Sequence, residues 1–209
     1  MKQKLYFIDY DDICQGCPTF TGGKFLKDGI WTGEHEWDFD DPNPEHYNIT
    51  STYSLKIDEK SINFDYSGHN YVSENFLKVL NACKVNYRAV PLEIFLSKNK
   101  HPEKKYYFLL LCGRFFLLDK AVSKYTVCKS PNNEKEYLYE TYFPNEVCYD
   151  LIEEFYVKDD GNLPDFFVCA ELKKDVCTEK FKKLCQSLNI TRIKFTEISN
   201  GFRYDPWED

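Results

Sequence analysis

The chain repeats one local pattern at a separation of 105 residues, and that pattern restricts the fold more than any other feature. Ser73 and Thr178 each precede an acid, Glu74 and Glu179, and then apolar residues at helical spacing. The first stripe is Phe76, Leu77, Leu80 and Cys83; the second is Phe181, Leu184, Cys185 and Leu188. A hydroxyl that accepts hydrogen bonds from the first free N–H groups favours a helix start at both places. Helices are therefore predicted from Ser73 to about Cys83 and from Thr178 to Asn189, where asparagine suits a left-handed stop. Lys78 falls on Lys183 and Val85 on Ile190, so each helix is followed by a short turn and a strand. Duplication of one unit and recurrence of a common module both produce such an echo.

Most of the remaining apolar segments read as strands. "KLYFIDY", "STYSLKI", "SINFDYS", "YRAVPLEIFL", "YLYETYF", "FFVC" and "ITRIKFTEI" are short, rich in aromatic and β-branched residues, and bounded by polar turns. Pro91 points to an edge or a bulge in its strand. "YYFLLLCGRFFLLD" fits a central strand kinked at Gly113-Arg114, or a tight hairpin. From Asp11 to Asn48 glycine and proline recur so often that the segment reads as loop. The expected fold is α+β: a mixed or mainly antiparallel sheet with a few short helices packed on it. A chain of 209 residues suits a single domain over 1–209, and a division into two lobes at about 1–66 and 67–209 is compatible with the pattern.

Twenty-seven Lys and Arg against 34 Asp and Glu leave a formal charge of −7. That balance disfavours direct binding to nucleic acid and favours a basic protein partner. The 17 Phe, 16 Tyr and 3 Trp exceed what a core needs and leave rings for contact. Nine scattered cysteines, several in apolar runs such as "FLLLC" and "FFVC", read as buried thiols of a reducing cytoplasm. No secretory leader and no 18-residue apolar stretch is seen, so a cytoplasmic protein away from membranes is expected.

Signals for catalysis are weak. Cys14 and Cys17 form the one close cysteine pair, but "PTFTGG" after them does not start a helix that would lower a thiol pKa. His35 and His46 follow at spacings that match no standard zinc pattern. Gly22-Gly23-Lys24 resembles a phosphate loop only superficially, lacking the earlier glycine and the following hydroxyl. No catalytic residue, metal or cofactor is expected.

The segment "WTGEHEWDFDDPNPEHY" from Trp31 to Tyr47 carries six acids and no Lys or Arg, with Trp31, Trp37, Phe39 and Tyr47 among them. Burying so many like charges is costly, so they should face water or a cationic partner. Trp31, Glu34, Glu36, Trp37, Asp38, Asp40 and Asp41 are the candidate partner-binding residues. A solvated loop whose tryptophans plug the domain's own core is the plainer alternative. The C-terminal "YDPWED" either extends the acidic, aromatic patch or frays.

Several stretches taken together resemble the immunity proteins of bacterial polymorphic toxin systems. They are "YFIDYDD" followed by Cys17-Pro18, the loop with Trp31, Gly33 and Trp37, "NFDYSGHNYVSENFLKVL", "YYFLLLCGRFFLLDKAVSKY" and "FVCAEL…ITRIKF". The order is similar to immunity-protein family forty-three, with the related family eleven next, from Leu5 to Ile198; Cys169 departs from it, standing where a serine is expected. The resemblance implies a cytoplasmic α+β protein that neutralises a cognate toxin by binding it without catalysis, the toxin being for instance a basic nuclease domain. It carries over no site residue. A general interaction module, or an enzyme using Cys14 or Cys17 with a histidine, are the alternatives.

Overall fold

The computed structural model describes residues 3–11, 13, 23–68, 71–129, 136, 138–139, 141–159 and 161–205. The pair Cys14 and Cys17, Gly22, His69 and the end of "YDPWED" lie outside them. The fold is α+β, as the patterning predicts.

In chain order the strands are β1 (Leu5–Tyr10), β2 (Gly23–Lys27), β3 (Ile30–Trp31), β4 (Tyr53–Ile57), β5 (Tyr71–Ser73), β6 (Tyr87–Phe95), β7 (Tyr106–Leu111) and β8 (Arg114–Phe115). They continue with β9 (Lys124–Val127), β10 (Leu138–Tyr139), β11 (Phe143–Val147), β12 (Tyr149–Phe155), β13 (Phe166–Cys169), β14 (Lys174–Thr178), β15 (Ile193–Glu197) and β16 (Phe202–Tyr204). Helix α1 spans Glu74–Ala82 and α2 spans Glu179–Ser187. One sheet has the order β3-β2-β4-β6-β7-β5 and the other β15-β1-β14-β13-β8; β16-β12-β9 and β10-β11 form smaller sheets. All pairs are antiparallel except β4 with β6 and β8 with β13.

The 105-residue echo appears as two units of the same topology. β5 and β6, joined by α1, both pair antiparallel with β7 between them. β14 and β15, joined by α2, both pair antiparallel with β1 between them. The correspondence extends to single hydrogen bonds. The Ser73 N–H donates to the Asp65 carbonyl at 3.0 Å, and Thr178 N–H to that of Asp165 at 3.1 Å. The Ser73 hydroxyl donates to the Asp65 carboxylate at 2.5 Å, and Thr178 to Asp165 at 2.7 Å. With its proton held by the carboxylate, each hydroxyl aims its lone pairs at the helix, accepting from Phe76 N–H and Phe181 N–H. Each helix then stops at a residue of positive φ, Lys84 at 54° and Asn189 at 52°, the latter as its sequence predicts.

The central strands β7 and β1 are covered on both faces, which explains their continuous apolar runs. Along β7, Leu109 joins a cluster containing both helices, while Phe108 and Leu110 face a second cluster. Along β1, Tyr6 and Ile8 join the helical cluster and Leu5 and Phe7 a third, with β12. The helical cluster is thus shared by the two units. Phe166 stacks on Phe181 at 4.8 Å, and Phe76 lies 5.6 and 5.8 Å from them.

Four local expectations need correction. Residues 11–48 are not all loop: Leu26-Lys27 and Ile30-Trp31 pair across Asp28 and Gly29, whose φ values of 51° and 79° make the turn typical of a two-residue hairpin. "SINFDYS" alternates inward at Ile62, Phe64 and Tyr66 but joins a ladder only at a Tyr66–Val72 bridge. The Asp65 N–H donates instead to Thr191. β6 is an interior strand, although the β4 ladder starts only at Leu92, so Pro91 lies just outside it. "YYFLLLCGRFF" is neither one kinked strand nor a hairpin: at Gly113, φ 94°, the chain leaves the six-stranded sheet and enters the other as β8.

Asp65 ties the units together. One oxygen accepts from Ser73 and from Lys104 at 2.9 Å, the other from the Thr191 N–H and hydroxyl, both at 2.8 Å. Burial pushes the carboxyl pKa up, but these donors outweigh it and hold it below the ordinary value. Its contribution is therefore complete above the unfolded pKa and lost as pH falls through the lower, folded one. Asp65→Ala should cost about 2–4 kcal/mol in urea unfolding at pH 7. The gap to the parent chain should narrow below about pH 4.

Candidate functional site

The acidic, aromatic segment is largely turned onto its own sheet. Trp37 is 6% exposed and packs against Tyr53 at 4.9 Å and Phe108 at 5.2 Å between ring centroids. His35 is held among Phe25, Trp37, Phe39 and Phe108 at 4.8–5.3 Å. Burial, with Lys27 nearby, pushes its pKa down, so the imidazole packs as a neutral ring.

Most of the acids also have partners within the chain. Glu36 accepts from the Ser51 N–H at 3.0 Å and from the Tyr53 hydroxyl at 2.9 Å. The Ser51 bond, against a smaller effect of desolvation, brings its pKa down to about 2. Asp41 is 6% exposed, contrary to the expectation that every acid here faces water or a partner. It is accommodated because the Asn43 N–H and the Tyr47 hydroxyl each donate to it at 2.8 Å and His46 lies at 3.4 Å. Asp38 accepts from the Asp40 N–H at 2.8 Å and the Tyr142 hydroxyl at 2.9 Å, and Asp40 pairs with Arg114. Both remain exposed, as does Glu34.

Trp31 is different. It is 74% exposed, beside Ile30 at 72%, on the short strand that forms one margin of the six-stranded sheet. The sequence marks Trp31 but not Ile30; Asp28-Gly29 between apolar pairs is the hairpin signal that would have found it. Of the predicted set, Trp31 and Glu34, three residues apart, are therefore open. Asp38 and Asp40 are open but internally bonded, and Glu36, Trp37 and Asp41 are structural.

A second feature, absent from the sequence reading, is a polar cleft between the units. A hollow of about 340 Å³ is lined by Asp9, Tyr66, Arg114, Lys174 and Asp175, among others. A smaller hollow of about 140 Å³, with Asp38 and Tyr142, shares Asp40, Arg114 and Lys173 with it. Its charges are mutually compensated: Arg114 with Asp40, Lys174 with Asp9 at 3.4 Å, and the Tyr66 hydroxyl donating to Asp175 at 2.8 Å. Desolvation raises the Asp175 pKa to about 6 despite the opposing Tyr66 bond and the Arg114 charge. No thiol or imidazole among the described residues lines either hollow. Burial also pushes the Cys83, Cys169, Cys177 and Cys185 thiols up, away from nucleophilic reactivity. No described group of three His, Cys, Asp or Glu is placed to hold a metal ion. No helix among the described residues is long and apolar enough to cross a membrane.

Two substitutions separate these roles. Trp37→Ala should lower stability by about 3–5 kcal/mol, measured by chemical unfolding, because it empties a ring-packed site. Asp175 behaves in the opposite sense to Asp65. Its folded pKa lies above the unfolded one, so its favourable contribution is present at low pH and is lost as pH rises from about 4 to 6. Asp175→Asn should accordingly raise stability at pH 7–8, by on the order of 1–3 kcal/mol, and change little near pH 4. No family model matches the chain, and the curated proteins give no significant match.

Proposed function

We propose that the protein is a non-catalytic binding partner of a bacterial toxin domain, an immunity protein of the cytoplasm, and that it engages the toxin through Trp31 and the acids beside it. The observation that carries this reading is the pair Ile30 and Trp31, both more than 70% exposed at a sheet margin in a chain whose other large rings are mostly packed. Two adjacent apolar side chains left in water lower stability and solubility, and they become favourable when a partner covers them. The flanking Asp28 and Glu34, the further exposed Asp38, Asp40 and Glu45, and the net charge of −7 favour a basic partner and speed encounter with it. A nuclease domain with a basic substrate face has that chemistry.

The test is to look for a neighbouring gene that encodes a toxic C-terminal domain, and to measure binding to that domain and protection from it. Trp31→Ala should weaken binding by about 30-fold or more with little change in unfolding midpoint, as expected of an exposed anchor. Glu34→Lys should chiefly slow association, with a reduced dependence on salt. A neighbouring toxin domain that neither binds the protein nor is neutralised by it would overturn the proposal.

A further inference from the structure

We infer that the β3 margin is a strand-addition site, which takes an extended, basic segment of the partner as a further strand of the six-stranded sheet. The inference rests on the protein-binding reading above and specifies how the partner is held. The hairpin register fixes the direction of the main chain. Lys27 pairs with Ile30 next to the turn and Leu26 with Trp31 beyond it, and the Thr32 N–H donates inward to the Phe25 carbonyl at 3.2 Å. With inward bonding at residues 30 and 32, the alternation of a strand turns the peptide groups of Trp31 outward, and Gly33 follows at the bend just beyond the end of β3. A Cβ built on Gly29 or Gly33 would meet nothing within 4 Å, so neither glycine flanking Trp31 is crowded by the rest of the described chain.

The margin also lacks the usual protections of an edge. Residues 28–34 contain no lysine, arginine or proline, and where natural edges carry charge this one carries Ile30 and Trp31. A strand laid against it gains main-chain bonds at alternate residues and covers one apolar side chain on each face. Charge selects the occupant. Asp28 and Glu34 stand at the two ends of the margin, so an antiparallel second copy would set Asp28 of each chain against Glu34 of the other. A partner with lysine or arginine at those two positions and apolar residues between them meets the same margin with attraction.

A short peptide of alternating lysine and valine is a sufficient probe, with two controls: glutamate in place of lysine, and N-methyl groups at alternate peptide nitrogens. The lysine peptide should shift the amide resonances of Trp31 and Gly33 and slow their hydrogen exchange about tenfold at saturation. Both controls should leave them unchanged, and Trp31→Ala should weaken binding about tenfold. Shifts centred elsewhere, no shift at all, or equal binding of the N-methylated peptide would overturn the inference. So would a dimer of the parent chain, seen by sedimentation, that Trp31→Ala dissolves. A toxin domain that binds tightly while the Trp31 and Gly33 amides exchange as in the free protein would remove strand addition alone. A toxin domain that fails to bind would remove the function it rests on.

Discussion

The carboxylate of Asp65 is the junction on which the arrangement depends. A buried carboxylate is tolerated only when its oxygens are filled by donors, and here those donors come from three separate places in the chain. Ser73 starts the first helix, Lys104 precedes the strand between β5 and β6, and Thr191 opens the final strand of the second unit. One ionised group therefore caps a helix and fixes how the two units meet. The second unit repeats the cap with Asp165, Thr178 and Lys180, but among the described residues its aspartate makes no corresponding hydrogen bond across to the first. The helices brought together in this way supply Phe76 and Phe181, which join Phe166 of β13 in the shared ring cluster.

The sequence made the helices legible because capping is local. Ser73 acts on N–H groups two and three residues away and Thr178 on one three residues away, and a left-handed stop at Asn189 needs only its own backbone. Central strands were legible from their apolar runs. Sheet membership was not, because it is decided by contacts across about a hundred residues. Gly113 sends the chain from one sheet to the other, and Asp65 is drawn from a strand ladder by Thr191. The hairpin at 23–31 is obscured for a different reason: several glycines surround the one Asp-Gly turn that matters.

The candidate site was legible in part. Charge counting identified Trp31 to Tyr47 as unusual but could not say which side chains have partners. Glu36 and Asp41 are satisfied by Tyr53 and Tyr47. Those two tyrosines turn a row of acids from a uniform surface into an internal framework with a few charges outside. Trp37 and Trp31 lie six residues apart in the same composition, yet one closes the core and the other stands free at a margin. The cleft around Asp175 had no signal in the sequence, since Asp9, Tyr66, Arg114 and Asp175 converge only after both units are in place.

Native-state hydrogen exchange, resolved by residue in the free protein, tests this account most directly. It predicts one common opening free energy for the amides of Phe108 in the first unit and Val176 in the second, because both units close on the same helices. It also predicts nearly unprotected exchange at Trp31 and Gly33. Two distinct opening energies for the units, or strong protection at Trp31 and Gly33 in the free chain, would contradict it.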